Sequence, residues 1–246
     1  MMREGGLKKK HKILIWIAVC VILLFTIVRT AFTGYVSDYA AALSYEPAVA
    51  VTETEDYLTY GSEESGTGFV FYPGAKVEEE AYAPVMEGLA KSGIFCVVVR
   101  MPYHLAVLKP DAAAEVTASF PETTEWYVGG HSLGGAMAAG YAAEHADDFS
   151  GLILLAAYPT KEVSGLPVLS VRGDCDGVLN REKYDRSIGL AERLTERVIE
   201  GGNHAGFGNY GAQKGDQKAQ ITKEEQWQMT IDYILNFVGE NKQKSE

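Results

Sequence analysis

Apolar residues first gather in one unbroken run, ILIWIAVCVILLFTIV (13–28), sixteen residues with no charge, glycine or proline. At about 1.5 Å per residue it spans roughly 24 Å, and roughly 30 Å if residues 29–32 are included with Arg29 snorkelling, the thickness of a bilayer core. Beyond it the pattern shortens. VAVTETEDYLTYG (49–61) alternates and is β-rich, and GFVFY (68–72) reads as a second strand ended by Pro73-Gly74. EEEAYAPVMEGLAKS (78–92) has helical spacing, with acids in its first turn and Gly93 as its stop. IFCVVV (94–99) is the continuous apolar run of a strand buried on both faces. The order then repeats: helix 110–119, strand 126–128, helix 133–146, strands 151–157 and 166–171, helix 180–192, strand 196–200, helix 223–238. This alternation predicts an α/β domain with a mostly parallel central sheet and helices on both faces. GYVSDYAAALSYEPA (34–48), with a short helical turn expected in DYAAAL, reads as a tether. The expected organisation is a basic tail and transmembrane segment over 1–33, the tether over 34–48, and the α/β domain over 49–246.

Charge sharpens the picture of the apolar run. The chain carries 22 Lys and Arg against 33 Asp and Glu, a net −11, but residues 1–30 hold six basic residues (Arg3, Lys8, Lys9, Lys10, Lys12, Arg29) and only Glu4 as an acid. A local +5 thus precedes a −16 remainder. An uncleaved signal anchor is favoured over a cleaved signal peptide, whose apolar region is shorter and is followed closely by small residues. By the positive-inside rule the N-terminus stays cytoplasmic and the α/β domain lies outside the membrane. The acidic domain argues against a nucleic-acid partner. No His/Cys/Asp cluster has metal-ligand spacing, and no cofactor is expected.

The chemistry-bearing stretch follows the strand at 126–128. Gly129-Gly130-His131-Ser132-Leu133-Gly134-Gly135 contains G-x-S-x-G, preceded by a strand and followed by a helix rich in small residues. The spacing fits a sharp strand-to-helix turn that exposes Ser132 in a strained conformation, with Gly130 and Gly134 too close together for a Cβ on either. The N–H of Leu133, at the helix start, is a candidate oxyanion donor. A phosphate cradle would need a lysine after the glycines, and none is there. Among five histidines, His11 lies at the membrane edge, His145 late on the helix, His131 inside the turn and His104 after an earlier strand. His204, in the glycine-rich loop after strand 196–200, is the candidate base. Arg172-Gly173-Asp174-Cys175-Asp176 offers two carboxylates to orient it, and spacing alone leaves them nearly tied.

The order Ser132, Asp, His204 at successive strand ends resembles the α/β-hydrolase fold. From about Thr67 to Val238 the motifs YPG, AYAP, RMP, GGHSLGG, RGDCDGV and GGNHAGFGNYG resemble its compact dienelactone-hydrolase-like branch. The resemblance implies Asp176 as the acid, since Gly173 and Asp176 approximate a G-x-x-D turn. It implies Ala75, in the loop after the first inner strand, as the second backbone oxyanion donor. The cysteine nucleophile of true dienelactone hydrolases is absent. Only residues 158–165 stand where many members insert a lid, so no lid domain is expected, and the segment after His204 becomes the candidate local flap. Tyr103, Phe207 and Tyr210, with Met101, are candidates to touch a substrate. In the implied strand order Cys96 and Cys175 lie several strands apart, too far for a disulfide. The function expected is a membrane-anchored serine hydrolase acting on a small-molecule carboxylic ester. The alternatives are a catalytically silent binding protein of the same fold, or the same triad acting on thioester, amide or acyl-transfer substrates.

Overall fold

The computed structural model describes residues 14–26 and 40–245. The chain divides into two units, Met1–Tyr39 and Ala40–Glu246. In the first, residues 14–26 form helix α1, whose apolar side chains (Leu14, Trp16, Ile22, Phe25) are exposed. At about 1.5 Å per residue this described stretch measures roughly 20 Å. Among the described residues no helix is long and apolar enough to cross a membrane. The ends of the expected span, Ile13, Ile27 and Val28, lie outside the described residues, as do the basic tail and residues 34–39 of the expected tether.

The second unit is built on one eight-stranded sheet. Its strands are β1 (Val51–Glu53), β2 (Tyr57–Tyr60), β3 (Thr67–Tyr72), β4 (Phe95–Val99), β5 (Glu125–His131), β6 (Gly151–Leu155), β7 (Val163–Gly173) and β8 (Ala191–Ile199). Their spatial order is β1-β2-β4-β3-β5-β6-β7-β8, with β1 and β2 antiparallel and the rest parallel. The helices are α2 (Ala83–Lys91), α3 (Ala112–Ser119), α4 (Leu133–Ala142), α5 (Arg181–Ser187) and α6 (Lys223–Ser245). Period-2 side-chain alternation sorts the buried strands into two cores. Phe69, Phe71, Ile153 and Leu155 face Met86 and Leu89 of α2 and the stripe Trp227, Ile231, Ile234, Phe237, Val238 of α6. Val70, Tyr72, Val97, Val99, Leu152 and Leu154 face Val116 of α3 and Ala138, Ala139 and Ala142 of α4. A parallel sheet covered on both sides must be apolar throughout, as β4 is, with all five residues buried.

Local differences from the sequence reading have identifiable causes. The β-rich stretch 49–61 is a hairpin, because Thr54 Oγ1 accepts from the N–H groups of Asp56 (3.2 Å) and Tyr57 (3.1 Å) and turns the chain. The helix expected over 180–192 ends at Ser187, and β8 begins at Ala191 because backbone pairing with β7 extends back to Val163. The helix expected to start at 78 starts at Ala83, after a 3₁₀ turn over Glu79–Tyr82, with Pro84 in its first turn where no N–H is missed. The turn expected at DYAAAL is extended where described: Ala40 bridges Val77, Ala42 bridges Tyr210, and Ala42 N–H donates to Glu78 Oε2 at 2.8 Å. Residues 40–48 therefore lie on the α/β unit. Cys96 and Cys175 are free and buried, with β3, β5 and β6 between their strands.

Register aligns the strand ends: Tyr72 pairs Gly130, His131 pairs Leu155, and Gly173 pairs Ile199. All five described non-glycine residues with positive φ (Lys76, Tyr103, His104, Ser132, Ala156) follow the ends of β3, β4, β5 and β6. Strained backbone is thus confined to the carboxyl edge of the sheet, where ligand sites of open α/β sheets form.

Candidate active site

Ser132 stands between β5 and α4 at φ 53°, ψ −122°, a conformation that L-residues rarely adopt. Its N–H donates to Leu155 O at 2.9 Å, and its hydroxyl makes no capping bond to α4. The strain persists because the neighbouring glycines let three backbones converge. A Cβ on Gly130 would meet Tyr72 O at 2.4 Å and Gly134 C at 2.9 Å. One on Gly134 would meet the Tyr72 and Pro73 carbonyl oxygens, both at 2.2 Å. Since these are main-chain atoms of β3, the residue after it and α4, none can step aside. Gly134→Ala is accordingly expected to destabilise the domain by about 3 kcal/mol or more, read as a lowered denaturant midpoint; a variant as stable as the parent would contradict this packing.

His204 follows β8 and is 1% exposed. Its Nδ1 lies 2.8 Å from Asp176 Oδ2. Asp176 Oδ1 in turn accepts from the N–H groups of Val178 (2.8 Å) and Leu179 (2.7 Å), which fixes the carboxylate in its turn. An ionised carboxylate only accepts, so Nδ1 carries the proton and Nε2 presents its lone pair. Among the described residues that Nε2 is buried and without a hydrogen-bond partner. Asp174, the other carboxylate of the turn, is exposed and accepts from Gly201 N–H at 2.7 Å. The structure therefore brings Asp176, and not Asp174, to His204.

Beneath the elbow lies a network that sequence reading passed over. The His131 ring centroid is 4.6 Å from that of His204, which places the base beside the elbow. His131 Nδ1 sits 2.9 Å from Tyr82 Oη, and Tyr82 Oη accepts from Gly74 N–H at 2.9 Å. With Gly74 N–H filling an acceptor site of the Tyr82 oxygen, the Tyr82 O–H donates to His131 Nδ1 in the tautomer that carries its proton on Nε2. Burial, and then the neighbouring His204, hold the His131 pKa well below its usual value, so the ring is neutral as this arrangement requires. Burial raises the Tyr82 phenol. Gly74 thus has its N–H anchored immediately before Ala75, an exposed residue in the loop after β3. Lys76 N–H is held by His104 O at 2.9 Å and Val77 N–H by Gly74 O at 3.2 Å, so the turn is tied on both sides. Leu133 is the first residue of α4, whose leading N–H groups lack intrahelical partners.

Of the aromatic candidates, Tyr103 is 59% exposed at the strand edge. Phe207 and Tyr210 are 0% and 1% exposed and offer no surface to a ligand. Phe207 packs 5.7 Å from the His131 ring, and Phe207 and Tyr210 belong to the α2/α6 core. The segment after His204, expected as a flap, is instead folded back: Asp216 Oδ1 accepts from Gly177 N–H (3.0 Å) and His204 N–H (3.3 Å), and Asp216 Oδ2 from Ala205 N–H (2.8 Å). Neither Tyr82 nor Asp216 carries a sequence signal for these roles, since both act through bonds that only the fold creates. Between β6 and β7 stand only residues 156–162. Among the described residues no group of three or more His, Cys, Asp or Glu is arranged to hold a metal ion.

A search of curated proteins gives no match. Solved structures of similar fold include Est1E from Butyrivibrio proteoclasticus (16% identity, 78% of this chain and 99% of that one, TM-score 0.58). A predicted CIB-like hydrolase from Thermoplasma acidophilum is similar at 16% identity, over 77% of this chain and 100% of that one, with a TM-score of 0.58. A membrane phospholipase A, described as a bacterial virulence factor, is similar at 14% identity over 94% of this chain and 99% of that one, with a TM-score of 0.57. At these identities the likeness concerns the fold. The model of the alpha/beta hydrolase family matches residues 68–228, a span that opens on β3, takes in Ser132, Asp176 and His204, and ends in α6, and the chain belongs to that family.

Proposed function

We propose that this hydrolase cleaves carboxylic esters through an acyl-enzyme on Ser132, outside the membrane to which residues 1–33 anchor it. The observation that carries the reading is His204: its Nδ1 is held at 2.8 Å by Asp176 while its buried Nε2 has no partner, beside a serine whose backbone is strained at φ 53°. Ser132 Oγ attacks the ester carbonyl as His204 Nε2 takes its proton, and Asp176 stabilises the imidazolium that results. The Leu133 and Ala75 N–H groups receive the oxyanion, each contributing about 3–4 kcal/mol of barrier lowering. His204 then protonates the leaving alcohol, and water attacks the acyl-enzyme by the same route in reverse. The phospholipase A named among the similar structures supports an ester as the bond cleaved.

The anchor rests on the sixteen-residue apolar run behind a basic tail. Tyr103 is the remaining aromatic candidate for contact with the substrate, and residues 156–162 are too few for a lid domain between β6 and β7.

Activity-based labelling tests the chemistry. A fluorophosphonate is expected to add once to the full-length protein, with the adduct mapped to Ser132, and p-nitrophenyl esters to turn over faster than matched thioesters and amides. A protein that folds, binds the ester and neither labels nor turns over any of the three is a silent binding protein. Preference for the thioester or amide would reassign the bond.

A further inference from the structure

The carboxylate of Asp216, which belongs to neither loop, hydrogen-bonds both the loop that carries the acid and the loop that carries the base. Its Oδ1 accepts from Gly177 N–H at 3.0 Å, the residue directly after Asp176, and from His204 N–H at 3.3 Å. The same oxygen accepts from its neighbour Gln217 N–H at 3.0 Å, and Oδ2 accepts from Ala205 N–H at 2.8 Å. Packing supports the same junction independently. A Cβ on Gly177 would lie 2.5 Å from Gly215 O and 2.9 Å from Gln217 N, so the acid loop runs in main-chain contact with the Asp216 turn.

Gln226 offers an instructive contrast. It is fully buried, accepts from Asn203 N–H at 3.0 Å and donates to Asn203 O at 2.8 Å, but these bonds reach the base loop alone. The loops bearing Asp176 and His204 leave neighbouring strands, β7 and β8, and are joined close to the strand ends by Asp174 N–H to Ile199 O (3.2 Å), Cys175 N–H to Gly202 O (2.9 Å) and Gly201 N–H to Asp174 Oδ1 (2.7 Å); farther out, beside the acid and the base themselves, Asp216 is the link. A 1 Å displacement of one against the other breaks the 2.8 Å bond between Asp176 and His204 and misaims Nε2.

We infer that Asp216 is a positioning residue that clamps the Asp176 loop to the His204 loop and so sets the distance between acid and base. The segment 205–222 is then a brace closed by this carboxylate. The inference rests on the ester-hydrolase reading for its effect on rate, and on geometry alone for its effect on the His204–Asp176 bond.

The test uses full-length protein labelled with ¹⁵N-histidine, in which the His204 Nδ1–H shared with Asp176 gives a downfield proton signal assigned by its loss in His204→Gln. Asp216→Ala removes all four acceptor contacts, and its downfield signal is expected to vanish into exchange with water, with kcat about 100-fold lower and KM within about twofold. Asp216→Asn keeps a carbonyl for the three Oδ1 bonds but sets an amide against Ala205 N–H. It is expected to fold, to keep a broadened, shifted signal, and to lose about tenfold in kcat. A merely structural role would lower the unfolding midpoint while leaving the signal and the kcat of folded protein unchanged in both variants, and that result overturns the inference. If Asp216→Ala fails to fold, Asp216→Asn decides by the same two readouts. If wild-type protein neither labels nor turns over esters, the hydrolase reading fails, while the downfield signal still decides the clamp.

Discussion

Ser132→Ala is expected to lower ester turnover by about 10⁴–10⁶-fold and to abolish the fluorophosphonate adduct, with the residual rate set by the oxyanion donors and binding alone. The backbone allows a sharper form of the experiment. Ser132 sits at φ 53°, ψ −122°, where a side chain costs about 1–3 kcal/mol and glycine costs little. Ser132→Gly loses the nucleophile as completely as alanine does but releases that strain, against about 0.5–1 kcal/mol of added chain entropy. The strain term is the larger, so the glycine variant is expected to be inactive and at least as stable as wild type, and more stable than Ser132→Ala. The joint readout is intact mass after labelling and the denaturant midpoint. An adduct that survives in either variant would move the nucleophile elsewhere. A glycine variant less stable than the alanine one would remove the argument that the elbow stores strain.

The elbow was legible in the sequence because everything that makes it is local. A strand, two glycines at fixed offsets from a serine and a small-residue helix specify the turn within a dozen positions, and Gly130 and Gly134 meet the backbone where the spacing requires. Strands β3 to β6 and residues 166–171 of β7 were legible because burial leaves apolar runs with charge only at their ends, Glu125 before β5's run and Arg172 after β7's. The readings that failed involved competition between local and distant partners. The stretch 180–192 is helix-favouring but for Gly189, and pairing of Ala191–Ile199 with β7 takes its end into the sheet. Phe207 and Tyr210 follow the base in sequence and were placed beside the substrate, whereas the Asp216 clamp turns their segment inward to the core. Tyr82 reads as one more apolar position of an amphipathic helix; its hydroxyl matters because Gly74 and His131, 8 and 49 residues away, converge on it.

The choice between Asp174 and Asp176 shows how far spacing alone can go. Both carboxylates lie in the same tight turn, and what separates them is direction: Asp176 Oδ2 meets His204 Nδ1, while Asp174 Oδ1 meets Gly201 N–H. Asp176→Asn is expected to lower kcat by about 10⁴-fold without disturbing the fold, and the geometry says why an isosteric change costs so much. Oδ1 of Asp176 accepts from two backbone N–H groups, Val178 and Leu179, so the asparagine carbonyl settles there and the amide NH₂ turns toward His204. The NH₂ can only donate, so Nδ1 becomes the acceptor and the proton moves to Nε2. The base then faces Ser132 with its lone pair gone. Asp174→Asn keeps a carbonyl for Gly201 N–H and alters no proton on His204, so kcat is expected to stay within about threefold of wild type. The pair is measured side by side as kcat at saturating ester, with ¹⁵N-histidine spectra reporting the tautomer. Equal losses in the two variants, or an Nδ1–H tautomer retained in Asp176→Asn, would take the orienting role away from Asp176.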